Sequence, residues 1–252
     1  MAINTITGTL ETMQSTGLLI LPSKKDREKR QLIYETGLKR VDFLTQEILY
    51  RPEDGFLFET FHFAWQRWEL ENLQTLKLAP RGSLKTTVLT VAKNVYKILR
   101  DFLVLDNRSI MIGIGSENKG KATAMVMAIR RHFERPDFIK IFGDLKGQVW
   151  REDEISFKGA RLQEKEANVT AFGMDSSAVA SKHFTDLDLD DPATFENTRT
   201  FAAREKMWSR YFYDVLPTLE PDADSKDHHI RGTRYHPDDI YGRLLKRYVN
   251  KC

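Results

Sequence analysis

Cysteine is nearly absent from this sequence of 252 residues: Cys252, the last residue, is the only one. Neither a disulfide framework nor a thiolate metal cluster can be built from it, and such a composition suits a reducing compartment. Long apolar runs are missing as well, since none approaches the roughly 18 residues that suggest a membrane span. The first residues lack the basic-then-apolar order of a secretory signal. Charge of one sign is scarce too. Against 39 Lys and Arg stand 36 Asp and Glu, and the formal net charge of +3 is too small to announce a nucleic-acid binder. Repeats and low-complexity tracts are also lacking. What remains is the composition of a folded globular chain, 41% hydrophobic and 30% charged, long enough to bury a full core. The expectation is a soluble, intracellular protein.

The first 22 residues are small, polar and weakly periodic, and read as a mobile arm ending at Pro22. Apolar spacing over 24–50 predicts an amphipathic helix interrupted near Gly37, with the basic run KKDREKR (24–30) on its solvated face. A turn at 51–55 precedes a second helix carrying Phe63, Trp65, Trp68 and Leu70. After it the texture changes to short apolar strands at 75–78 and 109–115, alternating with helices over 86–100 and 117–133. That alternation predicts βαβ units and a parallel sheet. Strand pieces at 155–157 and 169–172 suggest a β-hairpin insertion within 143–172. A strand ending in paired aspartates follows within 183–192, then one long helix over 195–215, a strand at 227–231 and a closing helix over 239–248. The expected architecture is an α/β domain with a central, mostly parallel sheet flanked by helices, after an α-helical N-terminal segment.

The stretch LAPRGSLKTT (78–87) sits at a predicted strand-to-helix junction. Phosphate loops of the form G-x-x-x-x-G-K-[ST] use glycines so that backbone N–H groups can close around phosphate oxygens. Here Ala79 and Leu84 stand where the glycines belong, while Lys85, Thr86 and Thr87 keep the functional end, with Lys85 expected to face solvent. Phosphoryl transfer also needs a carboxylate at a neighbouring strand end, and Asp190-Asp191 offers it. A third block, IRGTRYHPDDIYGRLL (230–245), lies beyond. APRGSLKTT, then DDP, then GTRYHPDD and YGRLL together resemble the ATPase domain of phage large terminase subunits, the motors that pump DNA into an empty capsid. The resemblance spans about residues 61 to 245, and the family often carries such a glycine-poor loop.

The resemblance implies a P-loop NTPase fold of the ASCE type over 61–252, after an arm and helical segment over 1–60. It implies ATP and Mg²⁺ as cofactors. Arg81, Gly82, Ser83, Leu84, Lys85, Thr86 and Thr87 match the phosphate loop, with Lys85 and Arg81 also on the catalytic side. Asp190 matches the metal carboxylate, which shares Mg²⁺ with Thr86. Asp191 matches the catalytic carboxylate, Glu in many relatives. Gly232, Thr233 and Arg234 match the motif that couples the γ-phosphate to DNA, and Gln66, after Trp65, resembles an adenine-reading glutamine. Implied partners are the backbone of double-stranded DNA, the portal protein, the small terminase subunit and further copies in a ring. The implied place is the bacterial host cytoplasm, transiently at the procapsid portal. The family's RNase H-like nuclease domain finds no counterpart in these residues, so DNA cleavage is not expected of them.

Two departures stand out. Asp186 and Asp188 interrupt a strand that is normally apolar, and SKDHHIRG (225–232) is similarly polar. Such strands are expected either at a less buried position or in a weakly stable or weakly active member. An arginine finger, commonly a neighbouring subunit's, has candidates in Arg130, Arg131, Arg199 and Arg204, with Lys182 a poor substitute and Arg81 the alternative in cis. His228, His229 and His236, near Asp238 and Asp239, also allow a transition-metal reading, though no helix-borne ligand pair fits them. Rival functions are a nucleotide-binding assembly module with little hydrolysis and a helicase-like DNA translocase.

Overall fold

A computed structural model describes residues 24–162, 166–220 and 227–248. The expected arm over 1–22 and Cys252 lie outside the described residues.

Among the described residues three α-helices precede the sheet. Helix α1, Lys24–Lys39, leads into α2, Val41–Phe43, which continues as a wide π-type turn over Leu44–Leu49; α3 is Thr60–Glu71. The helix does not break at Gly37. It runs on to Lys39, because Gly37 is a point of close packing: a Cβ there would meet the Phe142 ring at 3.1 Å and the Ile48 side chain at 3.2 Å. The break falls at Arg40, whose backbone is extended.

The sheet has seven strands: β1 Gln74–Leu78, β2 Ile112–Ser116, β3 Lys146–Trp150, β4 Glu154–Phe157, β5 Val169–Gly173, β6 Asp186–Asp190 and β7 Asp227–Gly232. Their order is β1-β7-β6-β2-β5-β4-β3. The first five in that order are parallel, and β4 and β3 extend the edge antiparallel. The two pieces expected to form a hairpin are β4 and β5, which do pair antiparallel, but β5 belongs to the parallel body and the short hairpin is β4 with β3, a strand the sequence reading did not place. Helix α4 follows β1 in two registers, π-type over Thr86–Ala92 and regular over Lys93–Leu103; α5 is Lys119–Glu134 and α6 Pro136–Phe142.

The long helix expected over 195–215 is two. Helix α7, Phe195–Thr198, and α8, Phe201–Ser209 with the wide turn Arg210–Val215, are separated at Arg199-Thr200. Thr194 and Thr200 each accept a hydrogen bond from the backbone N–H three residues on. Each therefore starts a helix, satisfying donors that a continuous helix would pair itself. Helix α9, Ile240–Tyr248, ends the described chain.

Period-two alternation divides the burial. Ala171 of β5 joins an apolar core with α1, α2, α4, α5 and α6, whereas Phe172 faces the opposite core with Leu187, Leu189, Ile230, Tyr241 and Leu244. Helices thus cover both faces, as a mainly parallel sheet requires. Because β1, β7 and β6 run parallel, Leu78, Gly232 and Asp190 end at one edge. Crevices outside the carboxyl ends of such strands are where α/β sheets take ligands.

Candidate functional site

At that edge the loop 79–85 turns from β1 into α4. Gly82 has φ +77° and Leu84 φ +54°. Leu84 thus adopts the left-handed conformation a glycine would take without penalty, at a cost of about 1–2 kcal/mol. The glycine missing from the sequence pattern is missing as a residue, not as a backbone shape. Three bonds hold the loop. Ala79 N–H donates to Gly232 O at 3.0 Å, Thr233 Oγ1 donates to Ala79 O at 2.9 Å, and His62 reaches Ser83 O at 3.1 Å. His62 Nδ1 accepts from Glu59 N–H at 2.9 Å, so Nε2 carries the proton that it donates to the loop.

Lys85 is not solvent-facing. Only 6% exposed, it sits beneath the loop with Nζ 3.0 Å from Asp191 Oδ2. Thr86 Oγ1 donates to Asp190 Oδ2 at 2.5 Å. Lys85, Thr86, Asp190 and Asp191 therefore meet, and Ser83 lies beside them in the same loop, while Thr87 is half-buried in the next position of α4. Asp191 sits at φ +45°, a conformation that aspartate tolerates better than most residues, and its N–H donates to Arg231 O at 2.9 Å. Asp190 Oδ1, Asp191 Oδ1 and Ser83 Oγ are buried without a hydrogen-bond partner among the described residues.

Gln66 stands apart from this group. It is fully buried, and its Nε2 donates to Thr45 Oγ1 at 2.8 Å and Val88 O at 2.9 Å, bolting α2 and α3 to the start of α4. Its Oε1 has no hydrogen-bond partner among the described residues. Gly232 is needed for closeness: a Cβ there would fall 1.8 Å from the Tyr241 hydroxyl, whose oxygen accepts from Ala193 N–H at 3.4 Å. Arg81 is exposed at the loop's rim, its Nε and Nη2 donating to the Tyr235 hydroxyl at 3.1 and 2.5 Å. Arg234 lies in the same loop, its Nη2 donating to Pro237 O at 3.0 Å.

Every residue of β6 and every residue of β7 but Asp227 is buried, so of the two expectations for these polar strands the less buried position falls. Asp186, Asp188 and Asp190 share one face of β6, and that face meets charged groups rather than apolar ones. Lys93 lies 3.1 Å from Asp188 and 3.5 Å from Glu69. Arg231 pairs with Glu69 at 2.5 Å and Asp188 at 3.0 Å. Lys97 pairs with Asp186 and Asp227. Burial works against the Asp188 anion, but Arg231, Lys93 and their neighbours hold its carboxyl well below the usual range. Burial likewise opposes the Lys97 ammonium, and its two carboxylates raise it nonetheless.

Asp190 ends that face of β6 and is fully buried. Burial pushes its carboxyl up to about 6, with the Thr86 hydrogen bond and Arg231 acting against that rise. A fully buried carboxylate with one oxygen unpartnered and a threonine hydroxyl on the other fits a divalent cation. Mg²⁺ in particular binds through one or two such protein oxygens beside phosphate and water.

The histidines do not assemble. His228 and His229 face opposite sides of β7, one stacked on Tyr211 and the other hydrogen-bonded to Thr75 at 2.8 Å. His236 Nδ1 accepts from Asp238 N–H at 2.9 Å. Among the described residues no group of three or more His, Cys, Asp or Glu could hold a metal ion, so the transition-metal reading falls.

Sequence reasoning passed over His62, Tyr235 and the Glu69–Lys93–Asp188–Arg231 layer. The layer did leave a signal: lysines one helical turn apart at 93 and 97, against aspartates two apart at 186 and 188. No helix among the described residues is long and apolar enough to cross a membrane. No protein-family model matches this chain, and no curated protein matches it.

Proposed function

We propose that the chain is a Mg²⁺-dependent ATPase with a P-loop NTPase fold, acting as the motor domain of a DNA-packaging terminase. The observation that carries this reading is the meeting of Lys85 and Thr86, at a strand-to-helix turn, with Asp190 and Asp191 at the end of β6. The sheet order supports the same class. One strand, β7, lies between β1 and β6, as in the ASCE division, and it ends in the Gly232-Thr233 pair that bonds back to the loop.

In this reading the backbone of 81–86, at the N-terminus of α4, cradles the β- and γ-phosphates. Lys85 exchanges Asp191 for a phosphate oxygen, which frees the Asp191 carboxylate to orient and polarise an attacking water. Thr86 and Asp190 hold Mg²⁺, which when bound supplies Lewis-acid charge on the transferring group. Gln66 holds α2 and α3 against the start of α4, while His62 holds α3 against the loop. Thr233 reports the loop's position to β7. DNA is met through phosphates with little sequence preference, and the portal, the small subunit and further copies of the chain complete the machine in the host cytoplasm.

A nucleotide-binding assembly module with little hydrolysis is the second reading. It is favoured by one contact: Asp191, shorter than glutamate, is tied to Lys85. Phosphate release from ATP with Mg²⁺ under multiple-turnover conditions separates the two. Steady release that Lys85→Ala abolishes is expected of the motor, whereas ATP binding without release would leave only the module. Release unchanged in a folded Lys85→Ala protein would end the P-loop assignment.

A further inference from the structure

The loop after β7 touches the loop 79–85 at a second point besides Thr233. Arg81 Nε and Nη2 both donate to one oxygen, the Tyr235 hydroxyl, and the guanidinium lies 5.5 Å from the centre of that ring. A phenol at this place fixes the direction of an arginine without cancelling its charge. Other basic side chains suited to stabilising a phosphoryl group are differently held. Arg130 faces Glu134 at 3.3 Å, Arg199 faces Glu196 at 3.7 Å, Arg204 faces Asp238 at 3.5 Å and Lys182 faces Glu154 at 2.8 Å. Arg131 lies in the last turn of α5, which runs back from the end of β2 toward the opposite edge of the sheet. Arg81 keeps its remaining N–H donors at the rim of the loop, and no carboxylate pairs with it among the described residues.

Tyr235 is itself anchored. Its N–H, and that of His236, donate to Asp239 Oδ2 at 3.2 and 3.3 Å, while Asp239 Oδ1 accepts from Gly242 N–H at 2.9 Å inside α9. Asp239 is fully buried, so the backbone carrying Tyr235 is set by the start of α9. The side chain then reaches outward from that fixed point to Arg81.

We propose that Tyr235 is the positioning residue of Arg81, aiming the guanidinium at the terminal phosphate bound in the loop 81–86 and linking its motion to α9. The inference rests on the P-loop reading. Two N–H groups on one neutral oxygen orient the plane of the guanidinium, leaving Nη1 and the second Nη2 hydrogen to meet phosphate oxygens as charge develops.

The test is ATP turnover with Mg²⁺ for wild type, Tyr235→Phe, Arg81→Ala and the double variant, beside fluorescent ATP-analogue binding and thermal melts. Tyr235→Phe keeps the ring and loses only the oxygen. It should melt with wild type, bind the analogue within about twofold and lose roughly tenfold in kcat, with KM little changed; Arg81→Ala should lose about a thousandfold. A purely structural tyrosine would give losses that multiply in the double variant, whereas a positioning tyrosine leaves the double no slower than Arg81→Ala alone. Arg81→Lys, which keeps the charge but cannot place two N–H groups on one oxygen, should fall close to Arg81→Ala. Turnover unchanged in Tyr235→Phe, or losses that multiply, would overturn the proposal while leaving the P-loop reading standing. Wild-type protein that neither binds nor hydrolyses ATP would remove that reading and this proposal with it.

Discussion

Lys85 shows how a side chain's surroundings change what its removal reports. Buried against Asp191, it is held by the same carboxylate that the proposed reading assigns to the water. On that reading Asp191→Asn does two things at once: it removes the charge that polarises water and releases the lysine for phosphate. ATP affinity should stay or rise a few fold, while turnover falls by roughly 10²–10⁴, the usual range for losing a general base. Isothermal titration beside phosphate release checks both, and a large loss of affinity would contradict the assigned roles. His228 is a second buried group with a measurable consequence. Desolvation lowers its pKa from 6.5 to about 4, and its Nε2 has no hydrogen-bond partner among the described residues. Between those values the unfolded chain binds the proton and the folded one does not, so stability is lost as pH falls through that window and levels off below it. The loss should approach roughly 3 kcal/mol. His228→Phe, which keeps the stack on Tyr211, should flatten this part of the stability–pH profile measured by urea denaturation. An unchanged slope would mean that another group, such as His132 or His229, dominates. Lys85 was legible in the sequence by its position before Thr86, but its burial was not, because a loop lysine gives no local sign of the carboxylate that will cover it.

At the scale of elements, α4 and β6 form a buried polar seam where the sequence reading allowed a less buried strand. The reading of DLDLD as a strand was sound, but the spacing could not say what lay above it; only the docking of α4 brings Lys93 and Lys97 over Asp188 and Asp186. Burying such pairs is weak evidence for stability, yet breaking one leaves charges without solvent or partner. Lys97→Met should accordingly cost about 3–5 kcal/mol, since Asp186 and Asp227 would then face each other. Lys97→Met combined with Asp186→Leu should recover most of that loss, because Asp227 is partly exposed and can hydrate. Chemical denaturation of the two variants decides it, and a double no more stable than the single would mean that the seam's pairs do not act locally. The split of the expected 195–215 helix has a similar cause. Thr194 and Thr200 are ordinary residues in a helical window, and their capping role appears only where the chain must turn after β6.

For the whole molecule, most strands were legible as short apolar or alternating runs bounded by turn residues: β1, β2, β4, β5, β6 and β7 fall within a few residues of their expected spans, whereas β3 was not expected. Their order was not legible. Placing β7 between β1 and β6 depends on pairing across more than half of the chain, which no local pattern encodes. That order brings Thr233 and Tyr235 onto the loop that carries Lys85, so the residues of the candidate site meet within one chain with Arg81 at its rim. Resemblance to the packaging motors implies instead an arginine lent by a neighbour, and the two arrangements predict different responses to dilution. With Arg81 acting in cis, held by the Tyr235 of its own chain, turnover per chain should stay constant across a wide dilution series. With a trans arginine it should fall by several powers of ten as assemblies dissociate, since losing that charge costs roughly 10³–10⁵ in rate. Phosphate release measured over that series, beside light scattering for oligomeric state, distinguishes them. On the proposed reading the geometry of Arg81 leads to the first outcome, and assembly would then not be needed to supply the missing charge. A steep loss of activity on reaching a proven monomer would show that Arg81 alone is insufficient and that a second cation comes from the neighbouring copy.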